Sequence, residues 1–290
     1  MARFSLIVPT MGRSQLMGRF LQSLVDQGER DLELIVADLD ATESIVPLLD
    51  EFSAHFAIRR VVCDRPGSAY ARNLGAASAT GEIIGFPDDD CWYPHGLLDR
   101  VGQLLNANGD WDGLVTHIRD ENRKAVLGWP DRFRRIDLPL AWRRAMCCAF
   151  FFRRELFERL SGYDVHMGHG TNSWGKEDTD ILLRAVEAGM WMQYVPELIV
   201  RHPQIFPDGK TDEDKFLGYA IGDGLMLGRH PMPLWWKTLF FGMPMLRGAL
   251  AGLRMDRAGM RRSRLEVKGR CLGYFHPQRC TRALRKTAGG

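Results

Sequence analysis

Between Phe4 and Phe86, four short apolar runs alternate with segments whose apolar residues recur every three or four positions, and this alternation limits the fold most. Phe4 to Val8 reads as a strand closed by Pro9-Thr10, and Leu16, Met17, Phe20, Leu21, Leu24 and Val25 mark a helix from Ser14 to Asp26. Leu32 to Ala37 is a second strand ending at Asp38, Ser44 to Phe56 a second helix, and Arg59 to Cys63 a third strand. After the turn Pro66-Gly67-Ser68, a small-residue helix over Ala69 to Ala79 leads to a fourth strand beginning at Gly81. Pro87 stops that strand, because it has no N–H for a ladder. Strands alternating with helices predict an α/β fold of three layers, α/β/α, around a mostly parallel sheet.

Sheets of this kind bind ligands beyond the carboxyl ends of their strands. Thr10 and Arg13 follow the first strand, Asp38 the second, and Asp88-Asp89-Asp90 the fourth. One edge therefore gathers an acid suited to a base or ribose and an acid cluster suited to a metal and phosphates. Three adjacent carboxylates repel one another beside an apolar strand unless a cation or hydrogen-bond donors neutralise them. Oxygen ligands favour Mg2+ or Mn2+, ions that keep several waters and bridge to substrate phosphates. A solvated acidic turn is the plain alternative for the three acids alone, so their surroundings carry the weight.

Further along, Pro94 to Leu105 reads as a helix, Leu114 to Ile118 as a strand, Ala145 to Phe152 as a strand and Arg154 to Leu160 as a short helix. Charge together with Trp129-Pro130 and Leu138-Pro139 predicts an irregular, surface-facing stretch over residues 119–144. Residues 168–175, glycine-rich and without periodicity, read as a mobile loop carrying Trp174. The loop runs into Lys176-Glu177-Asp178-Thr179-Asp180 at the start of a helix, where the dipole and free amides welcome acids. Capping alone explains such acids, but three carboxylates in four positions exceed what a cap needs. Two short strands, Met192 to Val195 and Leu198 to Val200, flank Pro196, and His202 then offers an imidazole as a third metal ligand. Lys215 to Arg229 reads as a helix whose Gly218, Ala220, Gly222 and Gly224 allow close packing.

The 290 residues are 45% hydrophobic, enough for a full core. Two regions are expected: residues 1–210, with a nucleotide half (1–118) and an acceptor half (119–210), and a helical, amphipathic and basic extension over 211–290. Residues 254–290 hold 11 Lys/Arg against 2 Asp/Glu, whereas the first 253 hold 28 against 34. That asymmetry suggests a polyanionic partner, lipid headgroups in preference to nucleic acid, with a solvated basic tail as the plain alternative. Pro233 to Leu253 is too broken by Lys237, Pro244 and Arg247 to span a bilayer. It reads either as an in-plane amphipathic segment on an anionic membrane or as a helix packed on this domain or on a second copy. The six cysteines match neither a zinc site nor a disulfide framework, and no charged-then-apolar leader precedes Phe4, so a cytoplasmic location is expected, with attachment to the inner membrane face through the tail.

Several stretches, in order, resemble the family 2 glycosyltransferases of GT-A fold. Ser5 to Arg13 resembles the opening strand and turn, and Ile35-Val36-Ala37-Asp38 the second strand with its nucleoside-binding acid. Ala71-Arg72-Asn73-Leu74-Gly75-Ala76-Ala77 followed by Gly81-Glu82 resembles the helix before the metal strand. Asp88-Asp89-Asp90 with Trp92 and Pro94 resembles the Asp-any-Asp motif, and Gly175 to Asp180 the acceptor-side Glu-Asp motif. Leu39 separates Asp38 from Asp40 where the family often has adjacent acids, and Lys176 stands where many members have a small residue.

The resemblance, over residues 4–205, implies an inverting transfer of a sugar from a nucleotide-diphospho-sugar to a hydroxyl of a glycan or lipid-linked glycan, in bacterial surface polysaccharide synthesis. Asp90, Asp88 and His202 would hold Mg2+ or Mn2+, and Asp178 would be the base with Glu177 orienting it or the acceptor, the two roles being exchangeable. Pro9, Thr10, Arg13, Asp38, Arg72, Asp88 and Asp89 would bind the donor, and Trp174 with Glu177 the acceptor. A sugar-phosphate nucleotidyltransferase and a non-catalytic glycan-binding protein are the alternatives. The first usually carries a glycine-rich phosphate loop after strand one, where Pro9-Thr10-Met11-Gly12-Arg13 has one glycine.

Overall fold

A computed structural model of the chain describes residues 3–28, 31–41, 43–122, 124–125, 131–171, 173–203 and 213–280. Trp129-Pro130, Asn172 and the last ten residues of the basic tail lie outside the described residues. The described residues form two compact units, one of 3–163 with 181–203 and one of 164–180 with 213–280.

The first unit opens with β1 (Phe4–Thr10), α1 (Ser14–Val25), β2 (Leu32–Asp38), α2 (Val46–Phe52), β3 (Ala57–Val62), α3 (Ser68–Ala76) and β4 (Ile83–Gly85). It continues with α4 (Leu97–Ala107), β5 (Gly113–Arg119), β6 (Arg134–Arg135), α5 (Leu138–Arg144), β7 (Phe150–Arg153) and α6 (Arg154–Arg159). Helix α7 (Glu177–Glu187) leads into β8 (Met192–Arg201), which completes an eight-stranded sheet of order β3-β2-β1-β4-β7-β5-β8-β6. The first four strands are all parallel, with Phe4 opposite both Leu32 and Ile83, and Thr10 opposite Asp38. Their carboxyl ends therefore share one edge. Strands β1 and β2 are buried almost throughout, the mark of a sheet covered on both faces. Helix α3 is made of small residues because it lies close to the sheet: a Cβ on Gly75 would come within 2.6 Å of Ile7 Cγ2.

Three sequence expectations are corrected in this unit. The stretch 119–144 is not wholly irregular, since Leu138–Arg144 is helical and buries Leu140, Ala141 and Trp142. Leu138-Pro139 starts this helix: Asp137 caps it by accepting the Leu140 N–H at 2.9 Å, and proline is tolerated in a first turn, where no partner awaits its missing N–H. Ala145 to Phe152 is a strand only from Phe150, after a turn of 3-10 helix at Cys147–Ala149. The two strands expected around Pro196 are one, β8, whose pairing with β5 shifts register between Thr116/Val195 and His117/Ile199. The irregularity absorbs the proline that cannot donate. Strand β7 runs antiparallel between β4 and β5, the main departure from parallel order.

The second unit contains α8 (Glu213–Arg229), α9 (Leu234–Leu253), α10 (Arg257–Phe275) and α11 (Pro277–Cys280), together with residues 164–180. Helices α8 and α10 meet through glycines: a Cβ on Gly224 would collide with the Arg270 backbone, and one on Gly273 with the Ile221 carbonyl. Arg270, buried in this unit, stacks 3.7 Å over Phe240 and pairs with Glu266 at 2.6 Å. Among the described residues no helix is long and apolar enough to cross a membrane.

Candidate active site

At the carboxyl edge of the parallel strands the chain turns over Asp88 to Cys91, with the Cys91 N–H donating to the Asp88 carbonyl at 3.2 Å. The three carboxylates of this turn have different neighbours. Asp89 is 1% exposed, and Thr10 Oγ1 and Arg13 Nε donate to its Oδ2 at 2.7 and 3.1 Å, while Arg13 Nη2 contacts Oδ1. Burial still pushes its carboxyl above the ordinary value. Asp88 accepts from Arg72 Nη2 at 3.0 Å and lies 3.5 Å from the Cys147 thiol. Asp90 faces His202, with Oδ1 3.2 Å from Nε2, and has Arg13 Nη1 3.6 Å from its other oxygen.

Backbone pairing explains why a histidine 112 positions later reaches Asp90. Trp92 and Arg201 exchange two backbone hydrogen bonds, each of 2.9 Å, which draws the end of β8 against the acidic turn. The His202 N–H is held by the Arg119 carbonyl at 3.1 Å. Its Nδ1 lies 2.7 Å from the Pro203 carbonyl, which can only accept, so Nδ1 bears a proton and Nε2 is turned to the acids. Burial opposes charge on this imidazole, yet Asp90 and Asp88 raise its pKa above the ordinary value. Burial likewise works against the Asp90 carboxylate, and His202 and Arg13 more than offset it, leaving that pKa lowered.

Ligand atoms of Asp88, Asp90 and His202 all lie within 4.8 Å of one another. Asp90 Oδ1 is buried without a well-directed hydrogen bond. Two carboxylate oxygens and an imidazole nitrogen make a donor set that fits Mn2+ or Mg2+.

The structure therefore brings together Thr10, Arg13, Arg72, Asp88, Asp89, Asp90 and His202, with Pro9 in β1 and Asp38 at the end of β2. Asp38 is fully buried. Its Oδ1 accepts the N–H groups of Asp40 at 3.0 Å and Ala41 at 3.2 Å, and Arg60 clasps Oδ2 with Nε and Nη2 at 3.0 and 2.8 Å. Sequence reasoning missed Arg60. The available signal is that a buried acid at a strand end needs a cation, and β3 alongside offers Arg59-Arg60. Cys147 was also missed: its sulfur accepts from Arg72 Nη2 at 2.8 Å. No local pattern marks a thiol for that place.

The second unit carries the other acids. Glu177, Asp178 and Asp180 occupy the first turn of α7, with Glu177 buried and Asp178 half-buried. The loop before them packs on α8: a Cβ on Gly218 would lie 2.5 Å from Trp174 Cδ1, and one on Gly175 would lie 3.1 Å from the Tyr219 ring. Trp174, Gly175 and Lys176 have consecutive positive φ values of 36°, 141° and 77°. Two non-glycine residues in that region cost of order 1–3 kcal/mol each and persist only where packing holds them. Lys176 Nζ is anchored to Asp223 at 2.7 Å. Asp180 is buried against His230, with Oδ1 3.3 Å from Nε2, and Arg229 lies 4.0 Å away while also pairing with Asp164. Burial and the charges of Glu177 and Asp178 raise the Tyr219 hydroxyl above its ordinary pKa.

Residues 5–178 match the sequence model of the family described as glycosyl transferase family 2. An uncharacterized glycosyltransferase of Nostoc sp. is 29% identical over 130 residues, covering 43% of this chain and 39% of that protein. The GalNAc(5)-diNAcBac-PP-undecaprenol beta-1,3-glucosyltransferase of Campylobacter jejuni is 33% identical over 112 residues, 37% of this chain and 35% of that one. The chain thus spans well under half the length of these relatives. A solved structure of a mannosyltransferase from Pyrobaculum calidifontis, in complex with GDP-Man and Mn2+, superimposes with a TM-score of 0.65 at 18% identity, covering 95% of this chain and 88% of the other. A likeness at that identity speaks for a shared fold.

Proposed function

Since the chain belongs to glycosyl transferase family 2 and has its α/β fold of GT-A type, we propose that it is a metal-dependent, inverting glycosyltransferase. In this reading a nucleotide-diphospho-sugar donates its sugar to a hydroxyl of a glycan or lipid-linked glycan, in the assembly of a bacterial surface polysaccharide. The observation that carries it is the convergence of Asp88, Asp90 and His202 at the carboxyl edge of the parallel strands.

Asp88, Asp90 and His202 would hold Mg2+ or Mn2+, which when bound supplies positive charge against the departing diphosphate. The rest falls to the chain's own side chains. Asp38, steadied by Arg60, and the Pro9-Thr10 end of β1 shape the nucleoside pocket. Asp89 fixes Arg13 and Thr10, so that the guanidinium faces the donor side from a defined position. Arg72, clasped to Asp88, adds a buried cation to the diphosphate side. An acceptor hydroxyl is a weak nucleophile near neutral pH, and Asp178 removes its proton as attack proceeds, with Glu177 orienting the acceptor. Trp174 offers an apolar ring face to a sugar. A single displacement with one base inverts the anomeric centre.

The reading is tested by thermal unfolding with a panel of UDP-, GDP- and dTDP-sugars, with Mn2+ or with EDTA. At about 100 times Kd the matching donor stabilises the fold by about 2.7 kcal/mol, a shift of roughly 5 °C, and does so only with metal. With a lipid-linked or glycan acceptor, the same donor releases a nucleoside diphosphate. Formation of a sugar nucleotide and pyrophosphate from a nucleoside triphosphate and a sugar 1-phosphate would assign the chain to nucleotidyl transfer instead, and no metal-dependent shift with any sugar nucleotide would overturn the proposal.

A further inference from the structure

Helices of the sheet unit turn their apolar residues inward, as α4 does with Leu97, Leu98, Val101 and Leu105. Helix α9 does the reverse. Its buried residues are Trp236, Pro244 and Ala251, while Leu234, Trp235, Leu239, Met245, Leu246 and Leu253 are exposed by 78%, 57%, 53%, 62%, 53% and 83%. Trp235, Leu239, Leu246 and Leu253 follow one another at four- and seven-residue steps, with Gly242 and Ala249 between them, so these four exposed residues lie along one side of the helix. The helix contains no acid, and its only charges are Lys237 and Arg247. A stripe of this size exceeds the scattered apolar exposure of an ordinary surface.

The neighbouring helix supplies the opposite chemistry. Over Arg257–Phe275 the only acid is Glu266, which is taken by Arg247 at 2.8 Å and Arg270 at 2.6 Å. Arg261 pairs with Glu213, and Arg262 lies over Phe216. Arg264 and Lys268 have no acid partner among the described residues, and both line a hollow of about 470 Å³ whose other walls include Met245, Met260 and Val267. Largely apolar walls with two basic side chains among them match an acyl chain ending in a phosphate.

We propose that the outward face of α9, with Arg264 and Lys268 beside it, seats this protein in the plane of an anionic phospholipid bilayer. The apolar stripe enters the boundary between headgroups and acyl chains, and the basic residues engage lipid phosphates. The helix lies in that plane because it cannot span the bilayer. Charge favours lipid over a second copy of the chain: α10, beside this face, holds six Lys/Arg against Glu266 alone, so two such faces brought together would repel. The inference stands apart from the transferase reading, since it is tested without donor or acceptor.

The test is co-sedimentation of the full chain with vesicles of phosphatidylcholine alone or mixed with phosphatidylglycerol, at low and high salt, alongside sedimentation velocity without lipid. The protein is expected to bind the anionic vesicles, and less so as salt rises. The triple variant Trp235→Glu, Leu239→Glu, Leu246→Glu alters exposed residues only and keeps the circular dichroism of the parent while losing vesicle binding. Each basic side chain near such a surface is worth about fivefold, so Arg264→Glu with Lys268→Glu lowers the partition coefficient at least about 25-fold. Equal binding by the triple variant overturns the proposal. So does a parent that ignores vesicles but sediments as a dimer that the triple variant dissolves, which would assign the face to a second copy.

Discussion

Asp88-Asp89-Asp90 and Glu177-Asp178-Thr179-Asp180 each place three carboxylates within four positions, but the chain neutralises them by different means. The first trio lies in a turn at a strand tip, where charges must be met by side chains, and Arg13, Arg72 and His202 converge there from three separate segments. The second lies in the first turn of a helix, where unpaired backbone N–H groups and the helix dipole already favour negative charge. The buried pairing of Asp180 with His230, with Arg229 alongside, adds to that. In the first trio Asp89 is the most deeply buried and is held by Thr10 and Arg13, and in the second Asp180 is buried against His230; under the proposed function the other acids carry the chemistry. An acidic cluster is thus not one functional unit, and its members divide according to what each touches.

Substitutions can break that division. The largest effect is expected from Asp90→Asn, which removes a charged oxygen from the proposed metal site: metal-dependent transfer falls by about 10³-fold or more, and calorimetric Mn2+ binding is lost. Asp178→Asn comes next, lowering kcat by about 10²–10³-fold while donor affinity stays near the parent value. Transfer by the Asp178 variant at the parent rate would remove it as the base. The two paired acids give the smallest effects on chemistry and show themselves in stability. Asp180→Asn costs about 2 kcal/mol, read from urea unfolding, because His230 loses its charged partner in a buried site. Asp89→Asn costs about 1 kcal/mol, since half of its Arg13 partner is open to water. A larger kinetic than stability defect in either variant would undo the division between paired and reactive acids.

Much of the fold was legible because its signals are local. Phe4 to Val8 and Leu32 to Ala37 are apolar runs of strand length, and Leu16 to Val25 has helical period, so the parallel half follows from patterns that reside in a few consecutive residues. The antiparallel insertion of β7 was not legible. Phe150-Phe151-Phe152 is equally apolar in either orientation, and its pairing with Gly85 and Leu114 depends on residues far away in the chain. Leu138-Pro139 misled because a proline signals a break and a helix start alike, and only the Asp137 cap separates the two. At the site, Asp38 and the acid trio could be named from their strand ends and Arg60 by asking which neighbouring strand offers a buried acid its cation, whereas Cys147 could not, since no local pattern points its thiol to Arg72 and Asp88.

The sequence by itself determined the alternation that makes a parallel sheet, the strand ends where acids collect, and the basic, acid-poor character of α9 and α10. Periodicity and composition belong to the chain before it folds, and burial follows from them. Only the tertiary structure decided which acid each cation meets, that a bridge between Trp92 and Arg201 delivers His202 to Asp90, and that α9 turns its apolar side outward. Those outcomes depend on distances between residues remote in sequence. Coulombic attraction and packing act only once the backbone has brought such residues within a few ångströms.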